Sequence, residues 1–560
     1  MFDATRLIRY GYFPKELPPC FSTDDLADHT VEIIKALACC NPKYSIPLLY
    51  SGFKSEMARR TFAIPNPYHF CKTTDVIVRR ENEIKPVLEK SRYSLRAPIE
   101  KMPKEGEAYA VKSSFPADTR DTVEKLYQDN SVEIRLDINA CFDSIYTHSI
   151  PWAIHGIPTS KKNKSNSLVG NELDQCMQAM NYRQTNGILI GNDLSRIISE
   201  IILCTIDDQI RKKFPQIACC RFVDDYYIYT KDSSEIPQII AFIRNALAVY
   251  HLSINETKVQ VNESPFQYGK AWYVGMQQAI RLRSNDFLSW LINEYNMSKD
   301  PALLKYGLKV IDARKFSQQK RWQTMQSRIL NVWVRYPFLA DRILPMLWNN
   351  KQQLKKTNIK TAIVTVIDQS VLLRQDLELV WAVWFVKVFE IRISQETAVK
   401  ILRSGNDLAI IILLDILDKT GLSGKPNIQK ELRGLYDELK EANSDDNGNP
   451  GNLPWSSRWM LAYEAERSRR FDSIGETFDI VGKDPFFMKL LRLNIKFYNA
   501  DFEYAENQFV KKKKKNYRKK LDSERIMDFI TSPEFQAEIE RGNQELTEQF
   551  MKMIEQAVEY

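Results

Sequence analysis

The chain has 560 residues, of which 44% are hydrophobic and 27% charged, with a formal net charge of +8. That is long enough for two or more domains with full cores, in the composition of an ordinary soluble globular protein, and the mild charge permits nucleic acid without demanding it. All nine cysteines lie between Cys20 and Cys220 with no C-x-x-C pair, which excludes a zinc knuckle or a disulfide scaffold and fits reduced thiols in a cytosolic protein.

Met1 to Tyr10 carries Arg6 and Arg9 but no apolar core of signal-peptide length, so the chain reads as cytoplasmic. Ser131 to Ile138 alternates: Val132, Ile134, Leu136 and Ile138 fall on one face, Glu133, Arg135 and Asp137 on the other. Asp137 therefore stands near the end of a strand, on the side away from the core. A helix is expected over Leu194 to Ile206. Ala218–Val223 and Tyr226–Thr230 are rich in residues that suit a pleated, half-buried surface, and Asp224-Asp225 would be the tight connection between two hairpin arms.

Asp-Asp in a turn is common for backbone reasons alone. Asp137 changes the balance. If its strand lies beside the hairpin, three carboxylates converge, and such a set suits two Mg²⁺ ions clamping the attacking and leaving oxygens of an in-line phosphoryl transfer.

Beyond Asn285 the texture becomes helical, with apolar residues at helical spacing through Leu303–Ile311, Ile343–Leu347, Val364–Leu373 and Ala398–Leu417. A HEAT-like helical-repeat layer and an irregular helical bundle account for this equally well. Val380 to Ile393, broken by Lys387, is too short for a membrane span. Glu441 to Pro454 reads as an exposed loop. Lys511–Lys515 with Tyr517, Arg518, Lys519 and Lys520 is either a solvated charge run or a phosphate-binding segment.

Several of these stretches resemble the palm motifs of reverse transcriptases. Asp137-Ile138-Asn139-Ala140-Cys141-Phe142-Asp143 is similar to the first, and Phe222-Val223-Asp224-Asp225 to the aromatic-x-Asp-Asp motif. Between them, Gly187–Arg196 stands where that family carries its Gly-rich motif; Leu252–Lys258 and Tyr273-Val274-Gly275 match the two that follow. Ile145–Trp152, Arg9–Tyr12 and Arg59-Arg60 ahead of Ile64–Pro67 are similar to bacterial abortive-infection reverse transcriptases of the AbiK type.

The resemblance implies an α+β protein, with fingers and palm over residues 1–275 and an α-helical domain replacing the thumb over 276–560. It places Asp137, Ile138, Asp224 and Asp225 around Mg²⁺, with Mn²⁺ as the alternative, and Lys258 as an acid toward departing pyrophosphate. Phe142, five residues after Asp137, would close on the sugar 2′ position and favour deoxynucleoside triphosphates. Arg59 or Arg60 would hold the triphosphate, and Gly191 would admit nucleotide or primer, with Ser195 beside it. Leu189-Ile190 departs from the polar residue usual there, which removes a polar contact to substrate or template. The AbiK-type likeness further implies antiphage defence, a homo-oligomer, no membrane, and DNA covalently attached to a protein tyrosine without external template. Synthesis on a dedicated non-coding RNA is the alternative, and a catalytically silent nucleic-acid-binding scaffold the third reading.

Overall fold

The computed structural model describes residues 1–112, 123, 125–126, 128–266, 271–313, 319–443 and 452–504. The basic segment Lys511–Lys520 and most of the Glu441–Pro454 loop lie outside the described residues. Contacts divide the chain into two units. The first comprises Met1–Ser51, Thr61–Tyr268 and Gly405–Ala500; the second comprises Gly52–Arg60, Gly269–Ser404 and the residues from Asp501 on.

The first unit holds a four-stranded antiparallel sheet together with helices. Numbered after the Leu48–Ser55 and Ala58–Ile64 strands (β1 and β2), its members are β3 (Val132–Asp137), β4 (Ala218–Phe222), β5 (Asp225–Thr230) and β6 (Gln260–Glu263). The order is β4-β5-β3-β6, so β5 is bonded on both edges. Val132, Ile134 and Leu136 are buried as their period-2 spacing requires. Glu133 departs from that pattern, because it is 1% exposed and accepts hydrogen bonds from Tyr229 Oη at 2.8 Å and Asn262 Nδ2 at 2.9 Å. A carboxylate can be buried when such donors replace water.

The expected helix over Leu194–Ile206 runs from Asp193 to Lys213, with Asn192 capping it by accepting from Ser195 N at 2.9 Å. It packs against the Glu81–Leu88, Ser149–His155 and Ile236–Val249 helices. It is buried over most of its circumference, with Ser199, Glu200 and Asp207 among the buried side chains.

A linear boundary near residue 275 does not describe this unit, because residues 405–500 fold into it. Phe21 pairs with Tyr498, Ile46 N donates to Trp455 O at 2.8 Å, and Asn66 Nδ2 donates to Pro454 O at 2.8 Å. The rings of Tyr12 and Phe497 stack at 6.2 Å. The aromatic-rich N-terminal segment thus gains its cover from a stretch 388 or more residues away, which local periodicity cannot reveal.

The described core of the second unit is helical from Trp272 to Leu402. Ser284–Ser298 packs on Pro301–Asp312, and Lys356–Leu372 on both Asp376–Val388 and Gln319–Arg335. Packing on the next and next-but-one helix continues along the unit, the order of a helical stack. No described helix is long and apolar enough to cross a membrane.

Candidate active site

β3 and β5 are in register such that Asp137 is the partner of Asp225, the last pair of their ladder. β4 and β5 end on the pair Phe222–Asp225, so the hairpin tip is Val223-Asp224, one residue earlier than the expected Asp224-Asp225 connection. A two-residue hairpin loop favours positive φ at its first position, where Gly is usual. Val223 holds φ +59° there, an outlying conformation for a β-branched residue. The shift matters chemically: Asp225 is a strand residue fixed by the ladder, whereas Asp224 rides on the turn.

The turn is tied to the first motif by Ile138 N, which donates to Asp224 O at 3.2 Å, while the Ile138 side chain is buried. Asp137 is held from the Leu252–Lys258 side. Asn255 N donates to Asp137 O at 2.7 Å, Asn255 Nδ2 to Asp137 Oδ2 at 3.1 Å, and Lys258 Nζ to the same oxygen at 3.0 Å. Burial, followed by the carboxylates of Asp224 and Asp137, pushes the Asp225 carboxyl up to about 6, with Lys258 opposing.

Among the described residues, no three His, Cys, Asp or Glu side chains stand as a ready-made metal cluster. The donor set nonetheless fits a hard divalent cation: crowded carboxylates held against one another are what such an ion relieves.

Phe142 is half-buried in the turn of helix Cys141–Ser144, and its carbonyl accepts from Ile188 N at 2.9 Å, joining it to the Gly-rich segment. Gly191, at φ +116°, is closely packed: an added Cβ would stand 2.5 Å from Pro14 Cγ and 3.3 Å from Phe62 Cδ1. That packing by itself requires a glycine here. Ser195 is fully buried in the first turn of its helix, so its side chain is not available to substrate. Arg59 and Arg60 belong to the second unit, where Arg60 is exposed and Arg59 is ion-paired with the buried Glu378, Nη2 to Oε2 at 2.5 Å. Arg59, one of the two expected triphosphate ligands, is therefore already engaged by a carboxylate.

Residues 83–272 match the reverse transcriptase (RNA-dependent DNA polymerase) family. This segment is a reverse transcriptase domain. No curated protein matches the chain in sequence.

Solved structures similar to it include truncated apo telomerase from Candida tropicalis, at 14% identity and TM-score 0.30, covering 41% of this chain and 52% of that one. The fuller apo telomerase of the same organism gives 11% and 0.30, covering 70% and 76%. Telomerase from Candida albicans, in complex with a TWJ fragment of telomeric RNA, gives 10% and 0.28, covering 57% and 64%. The chain spans about half the length of the first of these. Overlap at such scores decides nothing about function.

Asn255 and the buried charges Glu200, Asp207 and Arg221 were not singled out by motif reading. The signal for two of them was present. Glu200 and Asp207 are carboxylates two helical turns apart, hence on one face, among the Ile and Leu residues of the helix, and buried charges require partners.

Proposed function

We propose that the reverse transcriptase domain polymerises deoxynucleotides at Asp137, Asp224 and Asp225, with Mg²⁺, or Mn²⁺ in its place, as the metal. The carrying observation is the Asp137–Asp225 pairing at the end of β3 and β5, one residue from Asp224. Asp137, Ile138, Asp224 and Asp225 would hold the metal, which when bound stabilises charge on the transferring phosphoryl group and lowers the pKa of the attacking hydroxyl.

The chain's own groups do the rest. Lys258, whose Nζ donates to Asp137, would act as the acid toward the leaving pyrophosphate. The Phe142 ring excludes a ribose 2′-hydroxyl.

The likeness of Ile145–Trp152 and Arg9–Tyr12 to abortive-infection enzymes supports a finer reading: a cytoplasmic, homo-oligomeric antiphage enzyme whose DNA starts on a protein tyrosine. Tyr12 is not that residue in this conformation, since it is fully buried and its hydroxyl donates to Pro65 O. A priming hydroxyl must reach the metal site, so it belongs on another segment or another copy.

The test is incubation of the pure chain with Mg²⁺ and labelled deoxynucleoside triphosphates. Label that survives denaturing electrophoresis with the protein and shrinks with nuclease supports the whole reading. Loss of that label after ribonuclease pretreatment would make a bound RNA the template. Label only in free DNA, and only with an annealed primer, returns the chain to ordinary templated synthesis; no incorporation under either condition overturns polymerase function.

A further inference from the structure

The hairpin that carries Asp224 and Asp225 rests on a guanidinium. Arg221, on β4, is 0% exposed, and its partners are two buried carboxylates from one helix, Glu200 at 3% and Asp207 at 0%. Nη1 and Nη2 donate to the two Glu200 oxygens, each at 3.0 Å, and Nη2 and Nε donate to Asp207 at 2.8 and 3.1 Å. One donor remains for the turn itself: Nη1 also reaches Val223 O at 2.7 Å.

A single cation between two carboxylates leaves one surplus negative charge in the interior. Hydroxyls offset it. Ser91 Oγ and Tyr226 Oη donate to Asp207 at 2.6 and 2.7 Å, and Ser94 Oγ donates to Glu200 at 2.8 Å. The cage closes on the backbone as well, with Arg221 N donating to Tyr93 O at 2.8 Å and Leu95 N to Arg221 O at 2.9 Å.

An ion network of this kind is weak evidence for stability, because apolar side chains of similar volume often do as well or better. What an apolar side chain cannot do is donate to the Val223 carbonyl. That carbonyl belongs to the peptide leading into Asp224, in a turn whose first residue holds an unfavourable positive φ. Unheld, the peptide would be free to rotate toward a more relaxed conformation, turning the Asp224 carboxylate with it. The other side of the turn is held by Ile138 N on Asp224 O.

We propose that Arg221 is a positioning residue, with Glu200 and Asp207 as its anchors, that fixes the Val223–Asp224 peptide and so aims the Asp224 carboxylate. This rests on the reading of Asp137, Asp224 and Asp225 as the reaction site. The planar fork is essential to it: one guanidinium meets two carboxylates and a carbonyl in fixed directions, which a lysine ammonium cannot do.

The test compares the full-length chain with Arg221→Lys, which keeps the buried positive charge, and with Glu200→Gln, which keeps Arg221 but frees one side of it. Asp224→Asn is the reference for the site. Arg221→Lys should lower kcat for deoxynucleotide incorporation by about tenfold to a hundredfold, the cost of a displaced reacting group. Nucleotide KM should stay within about threefold, since binding apart from the metal is untouched. Independently of turnover, Mn²⁺ binding followed by electron paramagnetic resonance should weaken, and amide exchange over residues 222–227 should quicken. Glu200→Gln should shift all three in the same direction by less.

Folded Arg221→Lys with wild-type kcat, Mn²⁺ affinity and exchange would overturn the proposal while leaving the site reading intact, provided that Asp224→Asn is inactive. If Arg221→Lys does not fold, Glu200→Gln decides: unchanged Mn²⁺ affinity and exchange there would overturn the proposal. Activity retained in Asp224→Asn would remove the site reading, and the positioning role with it.

Discussion

Asp137 and Asp225 face each other as the terminal pair of β3 and β5, and Lys258 Nζ stands 3.0 Å from Asp137 Oδ2 on the side toward the Leu252–Lys258 segment. Burial first, and then the carboxylates of Asp224 and Asp137, push Asp225 up to about 6, while Lys258 acts against that shift. The arrangement is under electrostatic tension, which a cation would relieve.

That tension predicts a pH effect on stability. The folded Asp225 carboxyl titrates near 6, whereas an unfolded aspartate titrates near 3.9. The folded state therefore binds the extra proton between those values, and stability falls as pH rises from about 4 through about 6. Asp225→Asn should raise the melting temperature of the metal-free protein at pH 7 by a few degrees, and the gain should vanish near pH 4. Equal gains at both pH values would show that the aspartate is not held against its neighbours.

Removing Lys258 separates its proton role from binding. Lys258→Met should lower kcat by about a hundredfold or more with nucleotide KM changed little, the size of a lost general acid. A kcat within threefold of wild type would leave Lys258 as a partner of Asp137 and nothing more.

Phe142→Ala should raise ribonucleotide incorporation relative to deoxynucleotide incorporation, measured side by side on one preparation. An unchanged ratio would assign the ring to packing.

Gly191→Ala introduces a Cβ 2.5 Å from Pro14 Cγ at a φ of +116°. Both the clash and the backbone conformation oppose it, so it should cost about 2 kcal/mol or more in denaturant unfolding. A neutral effect would mean that the Pro14 contact is not rigid.

The parts of the site legible in the sequence were those set by short-range rules. Alternation placed Asp137 at a strand end, and β-rich arms flanking Asp224-Asp225 declared a hairpin. The one-residue shift of its tip depends on register, which β3 and β4 set jointly from residues eighty or more positions apart. Arg59 shows the limit most plainly: its partner Glu378 is 319 residues away, so nothing local could distinguish a free arginine from a committed one. Glu133 failed as an outward residue for the same reason, since Tyr229 and Asn262 come from two other strands. The return of residues 405–500 to the first unit follows from apolar and aromatic surface that both segments need to bury, and helical periodicity reads the same whichever partner covers it.

The account stands on the carboxylates of Asp137 and Asp224. Its most direct test is Mg²⁺-dependent deoxynucleotide incorporation by Asp137→Asn and Asp224→Asn, each verified as folded by its far-ultraviolet circular dichroism and thermal transition. The account predicts that both keep the fold and lose incorporation by at least about a thousandfold, because the groups that would carry the metal charge to the reacting phosphoryl are gone. Incorporation near the wild-type rate by either folded variant would contradict it.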